Sequence, residues 1–423
     1  EGGSIVGCWA SGSGGGVYVE KNGWFTMKGG SIVGCRAGEY GGGVYLEENG
    51  MFTLEKGSIV GCRAGEYGGG VYLSRQAWMA MTGGEIAGCT AGQDPSTGLA
   101  GQDLSAGLYL RGGRLSANGG TIKGEVFSAG TIDSAAGKAG CTEFQARVTN
   151  QVIPAEVSLD GKIRHGRFNE TVVNQNGGII DGGTFLGDVE NIDAHIGAGF
   201  VASGGTFYGN VTNGGTDEAK GVSSIFEGTF YGKVTNGRQN GPEESARIRG
   251  GTFRGEVTNE KSGDIKSGTF YSGITNEGGT VGKCMVTYKI GETVYAQQVV
   301  PSGKTATEPW ESRDGYTFDG WYTPDKKVYD FSTEVTESLT LTGQWEIDFA
   351  VVRDKDSLRL ALESKAVGIR LEENIDIEST LNITGELVLD LNDHVLKMTR
   401  DGSVFVIDGG GRLTVMDSAT NKT

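Results

Sequence analysis

Histidine is nearly missing, three residues in 423, so the chain offers no cluster from which a zinc site could be drawn. Positive charge is short as well: 37 Lys and Arg stand against 53 Asp and Glu, a net charge of −16. That balance excludes nucleic acid and anionic membrane surfaces as partners, because like charges repel over a Debye length. No apolar run approaches the roughly 18 residues of a membrane span. Apolar residues reach only 37%, below the roughly 45–50% of compact domains. Aromatics at 9% nonetheless argue against disorder. Glycine is what abounds, with 76 residues where an ordinary domain carries about 7%. An ordered but thin structure is implied.

The glycines belong to a repeat. Cys8, Cys35, Cys62 and Cys89 recur every 27 residues inside the blocks GGSIVGCWASGSGGGVYVEKNGWFTM, GGSIVGCRAGEYGGGVYLEENGMFTL and KGSIVGCRAGEYGGGVYLSRQAWMAM. A fourth block, 82–118, gains a loop at residues 93–106 that carries GQD twice, with Asp94 and Asp103, and reads as a surface loop. Each block holds three apolar runs such as SIV, GVYL and MFTL, separated by Gly-rich or charged corners. Runs this short with period-2 alternation read as strands, three per coil. None is stable alone, but coils stacked at about 4.8 Å let each strand bond to its equivalents above and below. Glycine suits corners that need φ > 0 and inward positions where a narrow coil must close.

After about residue 140 a second motif, FxxxVxN with one Ile in place of Val, appears seven times, at Phe144, Phe168, Phe185, Phe207, Phe230, Phe253 and Phe270. Variable spacing around a constant segment predicts a strand that stacks while corners absorb length differences. Alternation turns Phe and Val inward. Asn150, Asn174, Asn191, Asn213, Asn236, Asn259 and Asn276 are then expected one above another at a bend, where amides bond to each other and to corner backbone. Such a ladder resembles those of pectate-lyase-like right-handed parallel β-helices. The expected fold class is all-β: a right-handed parallel β-helix (solenoid), followed by a small β-grasp-like repeat and the start of a second capped β-helix. The expected boundaries are 1–140, 141–283, 284–346 and 347–423.

The last two segments carry their own resemblances. Within 284–346, DGYTFDGWY, YDFSTEVTESLTL and Trp345 resemble the Listeria–Bacteroides repeat, the internalin-type B repeat of bacterial surface proteins, which implies a small spacer module without catalytic residues. Tyr316, Phe318, Trp321, Tyr329, Phe331, Leu339, Leu341 and Trp345 supply a core for it. In 347–423 a short helix with Asp356 as N-cap and Leu358 and Leu362 on one face precedes strand patterns. It looks like the lid over the open end of a pectin-lyase-like solenoid. The whole resembles large adhesin-like surface proteins of gut Firmicutes, and the chain is expected to be a monomeric fragment of one, opening mid-repeat and cut within a second solenoid.

Candidate chemistry follows from the columns. Parallel Cβ vectors leave stacked cysteines beyond the roughly 3.8 Å a disulfide prefers, so free thiols are expected, as are no metal and no cofactor. Alternation along GVYL turns Tyr18, Tyr45, Tyr72 and Tyr109 outward. Along WFTM it turns out Trp24, Met51 and Trp78, and Tyr208, Tyr231 and Tyr271 play the same part later. These rows either brace neighbouring coils or present a stripe for partners. Binding residues are therefore expected at Tyr18, Tyr45, Tyr72, Tyr109, Trp24, Trp78, Tyr208 and Tyr231. Asp188 and Glu190 are expected two apart on one strand face, about 6.7 Å from each other, within the range of inverting glycosidases, with His195, Arg164 and His165 available nearby. Other coils carry unrelated residues at those positions, so no catalytic residue is expected. The expected function is a non-enzymatic, wall-attached extracellular adhesin. Its partners would be host glycan, host protein such as mucin or immunoglobulin, or neighbouring cells, without nucleic acid or membrane insertion. A polysaccharide lyase or glycosidase and a passive stalk are the alternatives.

Overall fold

The structure, a computed structural model, describes residues 2–92, 107–133, 140–151, 161–197, 204–214, 221–309 and 313–419. The loop at 93–106, with Asp94 and Asp103, lies outside them. The fold is an all-β parallel β-helix. Contacts divide the chain into two compact units, one of Glu1–Val286, Tyr295–Thr305 and Glu334–Leu339, the other of Thr287–Val294, Ala306–Thr333 and Thr340–Thr423. The segment 284–346 contributes to both.

In the first unit three parallel sheets run from coil to coil. The first begins with Ser4–Val6, Ser31–Val33 and Ser58–Val60, the second with Val17–Val19 and Val44–Leu46, the third with Trp24–Met27 and Met51–Leu54. Equivalent residues pair without slippage: Ile5 with Ile32, Tyr18 with Tyr45, Phe25 with Phe52. A fourth column of two-residue strands, Trp9–Ala10, Arg36–Ala37, Arg63–Ala64 and Thr90–Ala91, adds to the three expected. Two residues are too few to show alternation, so no periodicity marks it.

The seven FxxxVxN segments also divide. Phe lies in the first sheet and Val and Asn in the second, as in Thr229–Phe230 and Val234–Asn236. The expected single strand is therefore two strands across a corner. Gly232 sits at the bend, where a Cβ would run into the Gly209 carbonyl of the preceding coil. Phe and Val still both point inward, from different walls.

All three sheets send apolar side chains into the interior: Ile59, Val71, Leu73, Met79 and Met81 in an early coil, and Phe230, Val234 and Ile248 in a late one, all fully buried. β-branched and aromatic residues fit such a half-covered pleated surface best. From Phe144 to Phe270 the rings stack at 4.6–4.8 Å with interplanar angles of 6–12°. Gly43 shows why the interior tolerates no side chain at one corner: a Cβ there would lie 2.6 Å from both the Gly70 carbonyl and Ile59 Cγ2. At the end of the first sheet, residues 297–299 pair antiparallel with Gly268–Phe270, so that last parallel strand has a partner on its outer side.

In the second unit Tyr316–Tyr322 pairs antiparallel with Leu339–Ile347, placing Phe318 opposite Trp345. Trp321 and Leu341 are buried, and Tyr288 meets Trp321 edge-on at 4.8 Å. The helix spans Lys355–Glu363 and is capped by Asp354, not Asp356. Ser357 decides this, because it lies three residues after Asp354. Its backbone N–H donates to Asp354 Oδ1 at 2.7 Å and its Oγ accepts from the Asp354 N–H at 3.1 Å, a capping box. Leu358 is buried and Leu362 packs beside it, as expected of one face. Parallel pairs then follow in three sheets, including Gly368–Leu371 with Glu386–Asp390, Ile375–Ile377 with Leu396–Met398, and Leu381–Ile383 with Phe405–Ile407.

Candidate binding surface

The outward residues of the first unit form three separate aromatic rows, one on each wall, rather than one stripe. On the second sheet Tyr18, Tyr45, Tyr72 and Tyr109 stack at 4.9, 5.4 and 5.2 Å and continue onto Phe127 at 4.6 Å. Tyr18 is 48% exposed, but Tyr72 and Tyr109 are buried, at 2% and 7%. Their expected accessibility does not hold. Tyr40 and Tyr67, rising from the Gly-rich corners, lie over Tyr72 and Tyr109 at 4.9 and 4.7 Å. Burial pushes the Tyr45 hydroxyl up to about 12, and a hydrogen bond to Glu66 followed by burial does the same for Tyr40. The signal was the EY before each GGG in coils two and three, where the first coil has GS.

The third sheet carries a row with two exposed indoles. Trp24, Met51, Trp78 and Arg114 follow one another in register. Trp24 is 80% exposed and Trp78 39%. With Thr26, Thr53 and the edge of Phe25 they line a groove of about 230 Å³. Trp78 Nε1 donates to Ser116 Oγ at 2.8 Å, which fixes that indole. Arg114 closes the row and is paired with Asp133 at 3.2 Å. The third row follows the first sheet: Tyr208 and Tyr231, 52% and 46% exposed, stack at 5.0 Å and 8°. Arg254 interrupts it, with its guanidinium carbon 4.4 Å from the Tyr271 ring centroid.

Asp188 and Glu190 do not share one strand, since Asp188 sits at the bend before Val189–Ile192. Asp188 Oδ1 accepts the Asn210 N–H at 2.8 Å, and Asn210 Oδ1 accepts the Lys233 N–H at 3.1 Å, so the column caps the corner of the next coil. Glu190 faces out from the second sheet, whereas His195 lies on the third, against Phe226. Burial, then the charge of Arg249, lowers the pKa of His195. Arg164 points to Asp133 and Asp181 at 3.8 and 3.9 Å, and His165 Nε2 meets the Gly140 carbonyl at 2.9 Å.

The cysteines are free thiols, as expected. Cys35, Cys62 and Cys89 each donate to carbonyls of their own and the preceding coil, such as Cys62 Sγ to Val60 O at 3.6 Å and Ile32 O at 3.7 Å. Burial pushes the Cys35 thiol up. Among the described residues no group of three or more His, Cys, Asp or Glu could hold a metal ion, and no helix is long and apolar enough to cross a membrane.

Residues 285–344 match the family model of the Listeria-Bacteroides repeat domain, a repeat that occurs in surface proteins. Neither a curated protein nor a solved structure matches the chain.

Proposed function

We propose that this chain is part of a non-enzymatic bacterial cell-surface adhesin, an extracellular repeat protein that displays aromatic contacts to host glycans, host glycoproteins or neighbouring cells. The Listeria-Bacteroides repeat suggests a surface-associated repeat protein. The observation that carries the adhesive part is the exposure of Trp24, Trp78, Tyr208 and Tyr231 on a framework whose interior is filled. Large exposed rings on a closed core cost solubility and usually mark partner surfaces. A repeated surface also multiplies weak contacts through effective concentration. The reading gives no catalytic role to Asp188, whose carboxylate caps backbone.

The test is capture of the chain by immobilised mucin, secreted immunoglobulin and intact bacterial cells, with a variant in which Trp24, Trp78, Tyr208 and Tyr231 are all alanine. Capture by the native chain and its loss in the variant are expected. Release of sugar from polysaccharide, or capture by none of the three surfaces, contradicts the proposal.

A further inference from the structure

The groove on the third sheet has a spacing and chemistry that narrow its ligand. Trp24 and Trp78 are two coils apart, about 9.6 Å at a rise of about 4.8 Å per coil. Met51 lies between them, and Thr26 and Thr53 stand in register beside it. Among the described residues no charged side chain lines the groove, and Arg114 at the end of the row already faces Asp133, so the lining favours an uncharged ligand. A volume of about 230 Å³ is just below the roughly 300–1,000 Å³ of small-molecule pockets. A stable protein partner would need roughly 800 Å² on each side, which this groove does not offer.

Neutral sugar meets these conditions. The C–H faces of a pyranose carry slight positive charge and settle on the negative face of an indole, while hydroxyls find Thr26 and Thr53. In an extended β-1,4-linked chain each ring is turned over relative to the last, so rings facing the same way recur at every second residue. One pyranose residue is close in length to one coil rise of about 4.8 Å, and two indoles on alternate coils therefore match two like-facing rings. The residue between them lies over Met51, whose thioether suits an N-acetyl methyl group. The bond from Trp78 to Ser116 holds one platform in place before binding, which lowers the ordering cost.

We infer that the Trp24–Met51–Trp78 groove binds a neutral β-1,4-linked N-acetylglucosamine oligomer laid along the coil axis, an inference that rests on the adhesive reading above and names the ligand of one of its rows. The probes are the β-1,4-linked tetramers of N-acetylglucosamine and of glucose. Each is titrated into the native chain, Trp24→Ala, Trp78→Ala and the control Val328→Ala, followed by calorimetry and indole fluorescence. Saturable binding of the acetylated tetramer is expected, at least tenfold weaker in either Trp variant, unchanged in the control, and tighter than binding of the glucose tetramer. Absence of saturable binding to the native chain overturns the inference. So does affinity that both Trp variants retain, or equal affinity for the two tetramers. Any of these with mucin, immunoglobulin or cell capture intact leaves the adhesive reading standing; loss of capture as well removes both.

Discussion

Asn191 Nδ2 donates to Asn213 Oδ1 at 2.7 Å, and both side chains are fully buried. The same bond repeats from Asn150 to Asn276, each amide also donating to a corner carbonyl, for example Asn191 to Ala194 O at 3.0 Å. Polarity runs one way along the chain of amides, and among the described residues Asn150 Oδ1, at its start, has no donor. Removing an internal rung should therefore leave two neighbours short of partners. Asn213→Ala is expected to cost roughly 1–3 kcal/mol for each buried group left unsatisfied. Asn276→Ala, at the exposed end of the ladder, should cost less than about 1 kcal/mol. Denaturant melts of the two variants check the difference.

Phe207 lies between Phe185 and Phe230 at 4.7 and 4.6 Å and is fully buried. Phe207→Ala should cost about 3–5 kcal/mol through lost burial and the cavity left behind. Tyr208, its neighbour in sequence, faces solvent, and Tyr208→Ala should stay within about 0.5 kcal/mol. Thermal melts of this pair test which residues face inward.

Close approach at a corner makes Gly43 irreplaceable, and Gly29 provides the contrast because nothing lies within 4 Å of a Cβ built there. Gly43→Ala is expected to destabilise by about 1–3 kcal/mol as overpacking does, whereas Gly29→Ala should be near neutral. Equal stability of the two variants would mean that the coil is wider than described.

Much of this architecture was legible in the sequence. The 27-residue spacing of Cys8, Cys35, Cys62 and Cys89 and the recurrence of Phe and Asn forced vertical columns, because only stacking pairs such short strands. The exposure of Trp24 followed from alternation beside Phe25. Other features depended on contacts between distant segments. Tyr72 and Tyr109 alternate outward as expected, yet Tyr40 and Tyr67 from another corner cover them, which local periodicity cannot report. The FxxxVxN motif concealed a corner because its middle residue is Gly in only four of seven copies. Asp354 and Asp356 are both plausible caps until the reciprocal bond with Ser357 separates them.

Two tyrosines of this cluster predict behaviour in alkali. Tyr40 and Tyr45 are pushed up to about 12 in the folded chain, against about 10 when unfolded. Between those values the unfolded chain gives up protons that the folded one keeps, so stability falls as pH rises. Below about pH 10 their contribution is fully present; Cys35, also raised above its ordinary value, acts in the same direction. A tyrosinate absorbance titration should show the last residues ionising only as the chain unfolds. Ionisation of all 14 tyrosines near pH 10 with the fold intact would contradict the covering of this row.

Coil-to-coil registry is the claim on which every row and groove depends, and distances between paired spin labels measure it directly. Labels on Ser31 and Thr121, three steps apart in the first sheet, should lie about 14 Å apart, and labels on Ser31 and Thr252, nine steps apart, about 43 Å. With Cys8 and Cys141 changed to Ser so that only the introduced sites react, separation growing in proportion to the number of steps is the predicted result. A Ser31 to Thr252 distance that fails to scale with the step count would contradict the stacked-coil account.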